Sequence, residues 1–336
     1  GTTTAYTYPV TNHRLGQIGA LATRVYDANG NTTSAPGTTT KNFVYGDHNR
    51  MTQAKNGTTV AMNYVYNGLG EQVRKYLSTT NTYSVYDTAG RWIGDYGNAG
   101  GTAPTQQVIW FDDLPVGVLV GTGANQKLHY IEADALGTPR VVVDRTRGAS
   151  GTAIWTWDLQ GEAFGTTAPN QDPDGDATAF VFNMRFPGQR YDAASGLNYN
   201  YFRDYEPGTG RYVQSDPIGL AGGVATYAYS SGAPLNRIDF FGLAPNCRIE
   251  TEYDGDYHPT GYIHEREITS RTNIMGCAFI PGVTGVPGTD DFIPDPPERI
   301  GRGRFRYRTF PFGLPDDWSG LCHVVTTRQV ALEREM

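Results

Sequence analysis

Arg24-Val-Tyr-Asp-Ala-Asn-Gly-Asn31 places an extended pair ahead of a polar turn. The arrangement returns as Phe43-Val-Tyr-Gly-Asp-His-Asn-Arg50, Tyr64-Val-Tyr-Asn-Gly-Leu-Gly-Glu71 and Ser84-Val-Tyr-Asp-Thr-Ala-Gly-Arg91. With Tyr8 as a first member, the tyrosines at 8, 26, 45, 66 and 86 are spaced 18, 19, 21 and 20 residues apart. β-branched and aromatic residues running into Asp, Asn and Gly are the pattern of a strand entering a tight hairpin. A unit of about twenty residues cannot bury an apolar face alone, so neighbouring hairpins are expected to pair edge to edge into one long sheet. Tyrosine suits such a wall, because its ring packs while its hydroxyl reaches a polar partner; no catalytic role is assigned to these residues.

Composition agrees with a turn-rich, mainly β protein: 336 residues include 42 Gly and 22 Tyr, and only 18% are charged. The formal charge of -7 argues against non-specific nucleic-acid binding by the whole chain. No apolar run is long enough to span a membrane. All three cysteines, Cys247, Cys277 and Cys322, follow Leu243. Their odd number and irregular spacing fit buried thiols better than a disulfide framework or a zinc site. No metal or cofactor motif is present, so neither is expected. The chain starts at Gly1 without a charged-then-apolar leader, which predicts a fragment or export without a cleavable signal peptide.

One phrase occurs twice where the chain changes character: Asp216-Pro-Ile-Gly-Leu220 and Asp239-Phe-Phe-Gly-Leu243. Two carboxylates brought together cannot easily both ionise, so one residue type supplies both an acid and a base. Such a pair can activate water against a peptide carbonyl, and an arginine beside it can orient a carboxylate or steady the oxyanion. Alternatively, both aspartates cap turns through local hydrogen bonds.

The Tyr-Asp-x-x-Gly units resemble the YD repeats of the Rhs family, which includes toxin-complex C components and, more distantly, teneurin shells. Further segments carry the resemblance: His129 to Arg140, Trp155 to Asp158, Phe186 to Asp192, Gly196 to Asp204, and Gly210-Arg-Tyr-Val-Gln-Ser-Asp-Pro-Ile-Gly-Leu-Ala-Gly-Gly223. The resemblance implies a spiral β-sheet shell, here partial, plugged by an Rhs-associated core. It further implies self-cleavage, with Asp216 and Asp239 as the catalytic pair, Arg203 as the assisting arginine and the bond from Leu243 to Ala244 as the one cut. Arg211 is the weaker alternative to Arg203. Phe240 stands where the family usually has proline, a departure that frees the turn before the cut.

Three segments are expected: a repeat shell over 1–128, the core with its cleavage site over 129–243, and a variable effector over 244–336, small and α+β or irregular. After Leu243 the repeats stop and lysine disappears. His258, His264 and Glu265 offer acid and base groups of the kind a phosphodiesterase uses. Arg302-Gly-Arg-Phe-Arg-Tyr-Arg308 alternates cations with aromatics, so Arg304 and Arg306 could face phosphates, although an ordinary half-exposed strand alternates likewise. The family implies an exported bacterial effector whose cargo is its own C-terminal domain. The partners implied are an immunity protein, a secretion component and the rest of the shell or a partner chain, with nucleic acid only as a target of the tail. The competing readings are a structural or adhesive shell without catalysis, and a tail whose nuclease-like activity is primary.

Overall fold

The computed structural model describes residues 4–98, 104–160 and 162–243, together with strand backbone at 248–259, 263–275, 321–324 and 329–334. The fold is mainly β, as the composition indicates. Two compact units are present: Gly1–Asp216 with Ala225–Gly242, and Pro217–Val224 with Leu243–Met336.

In the first unit, thirteen antiparallel strands from Val25–Tyr26 to Thr152–Thr156 form one sheet whose spatial order is the chain order. The repeat tyrosines close strands Val25–Tyr26, Lys41–Tyr45, Thr59–Tyr66 and Thr80–Tyr86. Each pairs with the residue six positions on: Tyr26 with Thr32, Tyr45 with Met51, Tyr66 with Gln72, Tyr86 with Trp92.

The turn between explains the motif. The residue after each tyrosine donates its N–H to the carbonyl four residues on: Asp27 to Asn31, Gly46 to Arg50, Asn67 to Glu71 and Asp87 to Arg91. Where that residue is Asp or Asn, its side-chain oxygen accepts N–H groups across the turn, as Asp87 does from Ala89 and Arg91. The fourth turn position is left-handed in every case, which selects Gly at 30, 70 and 90 and Asn at 49.

The tyrosines also link one repeat to the next. Tyr45 donates its hydroxyl to the Thr32 carbonyl, Tyr66 to that of Met51 and Tyr86 to that of Gln72, at 2.8–3.0 Å. Each acceptor is the residue opposite the preceding repeat tyrosine. Burial first, and neighbouring acids second, hold the Tyr45 and Tyr66 phenols well above their ordinary range, so they remain donors. The series continues beyond Tyr86: the Trp110 indole donates to the Trp92 carbonyl at 2.9 Å, and Asp134 to Thr138 repeats the turn. The sheet accordingly runs on past residue 128.

Tyr8 does not join it. Strand Tyr6–Thr7 pairs with Gln17–Ile18 in a separate two-stranded sheet, and Tyr8 is exposed. The residue after Tyr8 is Pro9, which lacks the N–H that closes the repeat turn.

A four-stranded meander, Arg190–Asp192, Leu197–Asn200, Arg203–Glu206 and Arg211–Tyr212, completes this unit. Trp155, Trp157, Phe182, Phe186, Tyr205 and Tyr229 are buried in the larger core cluster, and Phe43, Met51, Tyr64 and Leu197 in a second. Burial of an apolar side chain of this size contributes roughly 1.5–3 kcal/mol. Polar links tie meander to repeats. Arg24 grips Glu206 through two bonds of 3.2 and 2.9 Å, Arg190 pairs with Asp95 at 3.1 Å, and Arg50 donates to the carbonyls of Tyr201 and Gly70.

In the second unit, strands Arg248–Pro259 and Ile263–Met275 pair antiparallel, and Leu321–Val324 and Gln329–Arg334 both pair with the latter. The tail residues that are described are therefore antiparallel strand. Ala244, Cys247, Cys277, Arg304 and Arg306 lie outside the described residues.

Candidate functional site

The site is built on one tight hairpin. Asn200 and Arg203 are its closing pair, with Tyr201 and Phe202 between them. Tyr201 has φ of +51°, a region that a bulky side chain enters only at a cost of order 1–3 kcal/mol. Aromatic packing holds it there: Tyr201 stacks on Tyr199 and meets Tyr86, Phe240 and Phe241, while its hydroxyl donates to the Gly90 carbonyl. Residues 239–242 lie along this hairpin. Phe202 donates its N–H to the Phe241 carbonyl at 3.0 Å, and Asn200 Nδ2 donates to the Asp239 carbonyl at 2.9 Å.

Arg203 gathers the two aspartates. Its Nη2 lies 2.9 Å from Asp216 Oδ2 and 3.2 Å from Asp239 Oδ2, and the three side chains are 2%, 3% and 1% exposed. Its Nε donates to the Gly242 carbonyl and its Nη1 to the Thr226 carbonyl. The same Thr226 carbonyl accepts the Asp216 N–H at 2.8 Å, which fixes the second acid against the arginine. Gly242 has φ of +67°, and a Cβ there would fall 2.5 Å from the Asn200 carbonyl oxygen. Only glycine fits that turn. A Cβ on Gly188 would run into the Phe240 carbonyl, so a second glycine clears space for the same segment.

Tyr212 and Asn200 belong to the cluster although sequence reasoning passed over them. Tyr212 donates its hydroxyl to Asp239 Oδ2 at 2.9 Å, and its ring face lies 3.7 Å from the Arg203 guanidinium carbon. Asn200 Nδ2 donates to the Tyr212 hydroxyl at 2.6 Å. The available signal was Tyr212 beside Arg211 in a strand four residues before Asp216. Arg211 itself points elsewhere, to Tyr8 and the His13 carbonyl, and takes no part in the cluster.

The remaining candidates do not gather in this way. In the tail, His258 stands opposite Glu265 in the strand register, and His264 opposite Pro259 and Glu333. Asp172, Asp174 and Asp176 bring oxygens within 4.8 Å of one another, but Arg147 already pairs with Asp174 and Asp176 at 2.5 and 3.1 Å and supplies countercharge. Among the described residues no helix is long and apolar enough to cross a membrane.

No protein-family model matches the chain. It is 36% identical over 117 residues to the toxin protein Tse5 of Pseudomonas aeruginosa, a match covering 35% of this chain and 8% of that protein. It is 33% identical over 149 residues to the probable deoxyribonuclease RhsB of Dickeya dadantii, covering 44% of this chain and 9% of that one. Among solved structures, the Tc holotoxin pore of Photorhabdus luminescens with a TccC3 variant aligns over 68% of this chain and 11% of that chain, at 20% identity and a TM-score of 0.45. The chain is a relative of the Rhs-type toxins. It spans less than a tenth of the length of either curated relative.

Proposed function

We propose that this chain is the C-terminal part of an Rhs-type toxin that cuts itself after Leu243, freeing the segment beyond. The observation that carries the reading is the meeting of Asp216 and Asp239 on one nitrogen of Arg203, with that arginine also holding the carbonyl of Gly242, the residue next to Leu243 in the chain.

The chemistry is hydrolysis of one amide. The ionised aspartate takes a proton from water as the water oxygen bonds to the Leu243 carbonyl carbon. The protonated aspartate gives its proton to the carbonyl oxygen. Collapse of the tetrahedral diol returns that proton to the second acid, and the bond to the Ala244 nitrogen breaks as the nitrogen takes the proton gained from water. The products are a Leu243 carboxyl group and a new amino terminus at Ala244, with no redox change. Arg203 orients both acids and steadies negative charge during the step. Since catalyst and bond share a chain, the effective concentration is high and modest groups suffice for one turnover.

In this reading the repeat wall begins within 1–128 and its sheet runs on into the 129–243 core segment, and 244–336 is cargo; the wall is part of a closed shell completed by further repeats or a partner chain. An immunity protein and a secretion component are the expected partners of an exported effector. Intact-mass measurement of the purified chain tests the proposal. Two fragments meeting between Leu243 and Ala244 support it, and a persistently full-length chain favours a structural shell without catalysis.

A second reading, in which the tail acts on nucleic acid, draws on His258 standing opposite Glu265 in register. Expression of residues 244–336 in cells, with DNA and RNA integrity followed, tests it. Intact nucleic acid and healthy cells count against it.

A further inference from the structure

We infer that Tyr212 is a positioning residue of the cutting site, one that aims the Asp239 carboxylate and seats Arg203 against it. The inference rests on the self-cleavage reading above.

Three contacts carry it. The Tyr212 hydroxyl meets Asp239 Oδ2 at 2.9 Å, its ring supports the Arg203 guanidinium at 3.7 Å, and Asn200 Nδ2 reaches the same hydroxyl at 2.6 Å. A phenol has one proton, and the amide Nδ2 can only donate, so the phenol proton is directed at the carboxylate. Asp239 Oδ2 therefore receives two donors, the Tyr212 hydroxyl and Arg203 Nη2. Both donors hold the same oxygen, which fixes the orientation of the Asp239 carboxylate. Burial, and then the charge of Asp239, hold the Tyr212 phenol well above its ordinary range, so it stays a donor.

Charged and titratable groups around Asp239 include Arg203, Asp216 across that arginine, and the phenol of Tyr229, which burial and then Asp239 likewise push up. Tyr212 is itself fixed by strand Arg211–Tyr212, with its N–H on the Tyr227 carbonyl at 2.9 Å and its ring edge against Tyr205 and Tyr229.

The test uses the full chain, made by cell-free synthesis and shifted into buffers of different pH, with cleavage followed by intact mass. Tyr212→Phe keeps the ring under Arg203 and removes the donor. It is expected to slow cutting roughly tenfold and to change the pH profile of the rate. Incorporation of 3-fluorotyrosine at 212 keeps both the shape and the donor and is expected to hold cutting within about threefold of the wild-type rate, so the assignment stays testable even where Tyr212→Phe folds poorly. A wild-type rate and pH profile in Tyr212→Phe, or a 3-fluorotyrosine chain as slow as Tyr212→Phe, overturns the inference. A wild-type chain that never cuts overturns the cleavage reading instead, and the two failures are thereby distinct.

Discussion

Asn200 and Arg203 face each other as the closing pair of one hairpin, and both reach Asp239, the first at its carbonyl and the second at its carboxylate. A two-residue turn thus fixes the position of an acid thirty-six residues further along the chain.

Arg203 is also a structural necessity. Removing one partner of a buried ion cluster leaves the others uncompensated, at a cost of about 3–5 kcal/mol. Arg203→Met is therefore expected to lower the urea midpoint sharply. The loss should shrink when Asp216→Asn and Asp239→Asn are added, because neutral amides need no countercharge. A loss that is the same in both backgrounds would show that packing, not charge, is what Arg203 supplies.

Gly242→Ala is expected to slow self-cleavage by at least about tenfold, since the added methyl meets the Asn200 carbonyl oxygen at a left-handed position. Displacing the carbonyl from Arg203 Nε by even about 1 Å is enough for a loss of that order. Gly232→Ala, also left-handed but with open space around it, is the control and should cut at the wild-type rate. Equal rates in the two variants would remove the turn at Gly242 from the mechanism.

Much of the wall was legible in the sequence, because its interactions are local. The residue after each tyrosine and the glycine or asparagine three further on close a turn within five residues, so their spacing records the hairpin directly. The exceptions have the same local logic: Pro9 cannot donate the turn hydrogen bond, and Trp110 offers an indole N–H where the repeats offer a phenol. The acid pair was legible for a different reason, the doubled phrase and its resemblance to a known core. Tyr212 and Asn200 were not, since they act on Asp239 across 27 and 39 residues and neither type is diagnostic of a site.

Asp204 gives the fold a pH dependence separate from the Arg203 cluster. Burial is the main cause that pushes its carboxyl up to about 6; Asp192 adds to this, while Gln214 and Arg50 oppose it. An unfolded aspartate titrates near 3.9, so between roughly pH 4 and 6 the folded state binds the extra proton and stability falls as pH rises. Above that window the penalty is fully present, on the order of 2–3 kcal/mol. Asp204→Asn can still accept from Gln214 Nε2, which now lies 2.6 Å from Asp204 Oδ2. In an uncut Asp239→Asn background it should be the more stable protein at about pH 8, the advantage vanishing below about pH 4. Parallel urea curves with a constant gap across that range would contradict the assignment.

The most direct measurement is the intact mass of three chains purified side by side: the wild type, Asp216→Asn and Asp239→Asn. The wild type is expected as two fragments, one ending at Leu243 and one beginning at Ala244, and each variant as a single uncut chain with an unchanged far-ultraviolet spectrum. A wild type that stays whole, or variants that are cut as fast as the wild type, would contradict self-cleavage by this pair of aspartates.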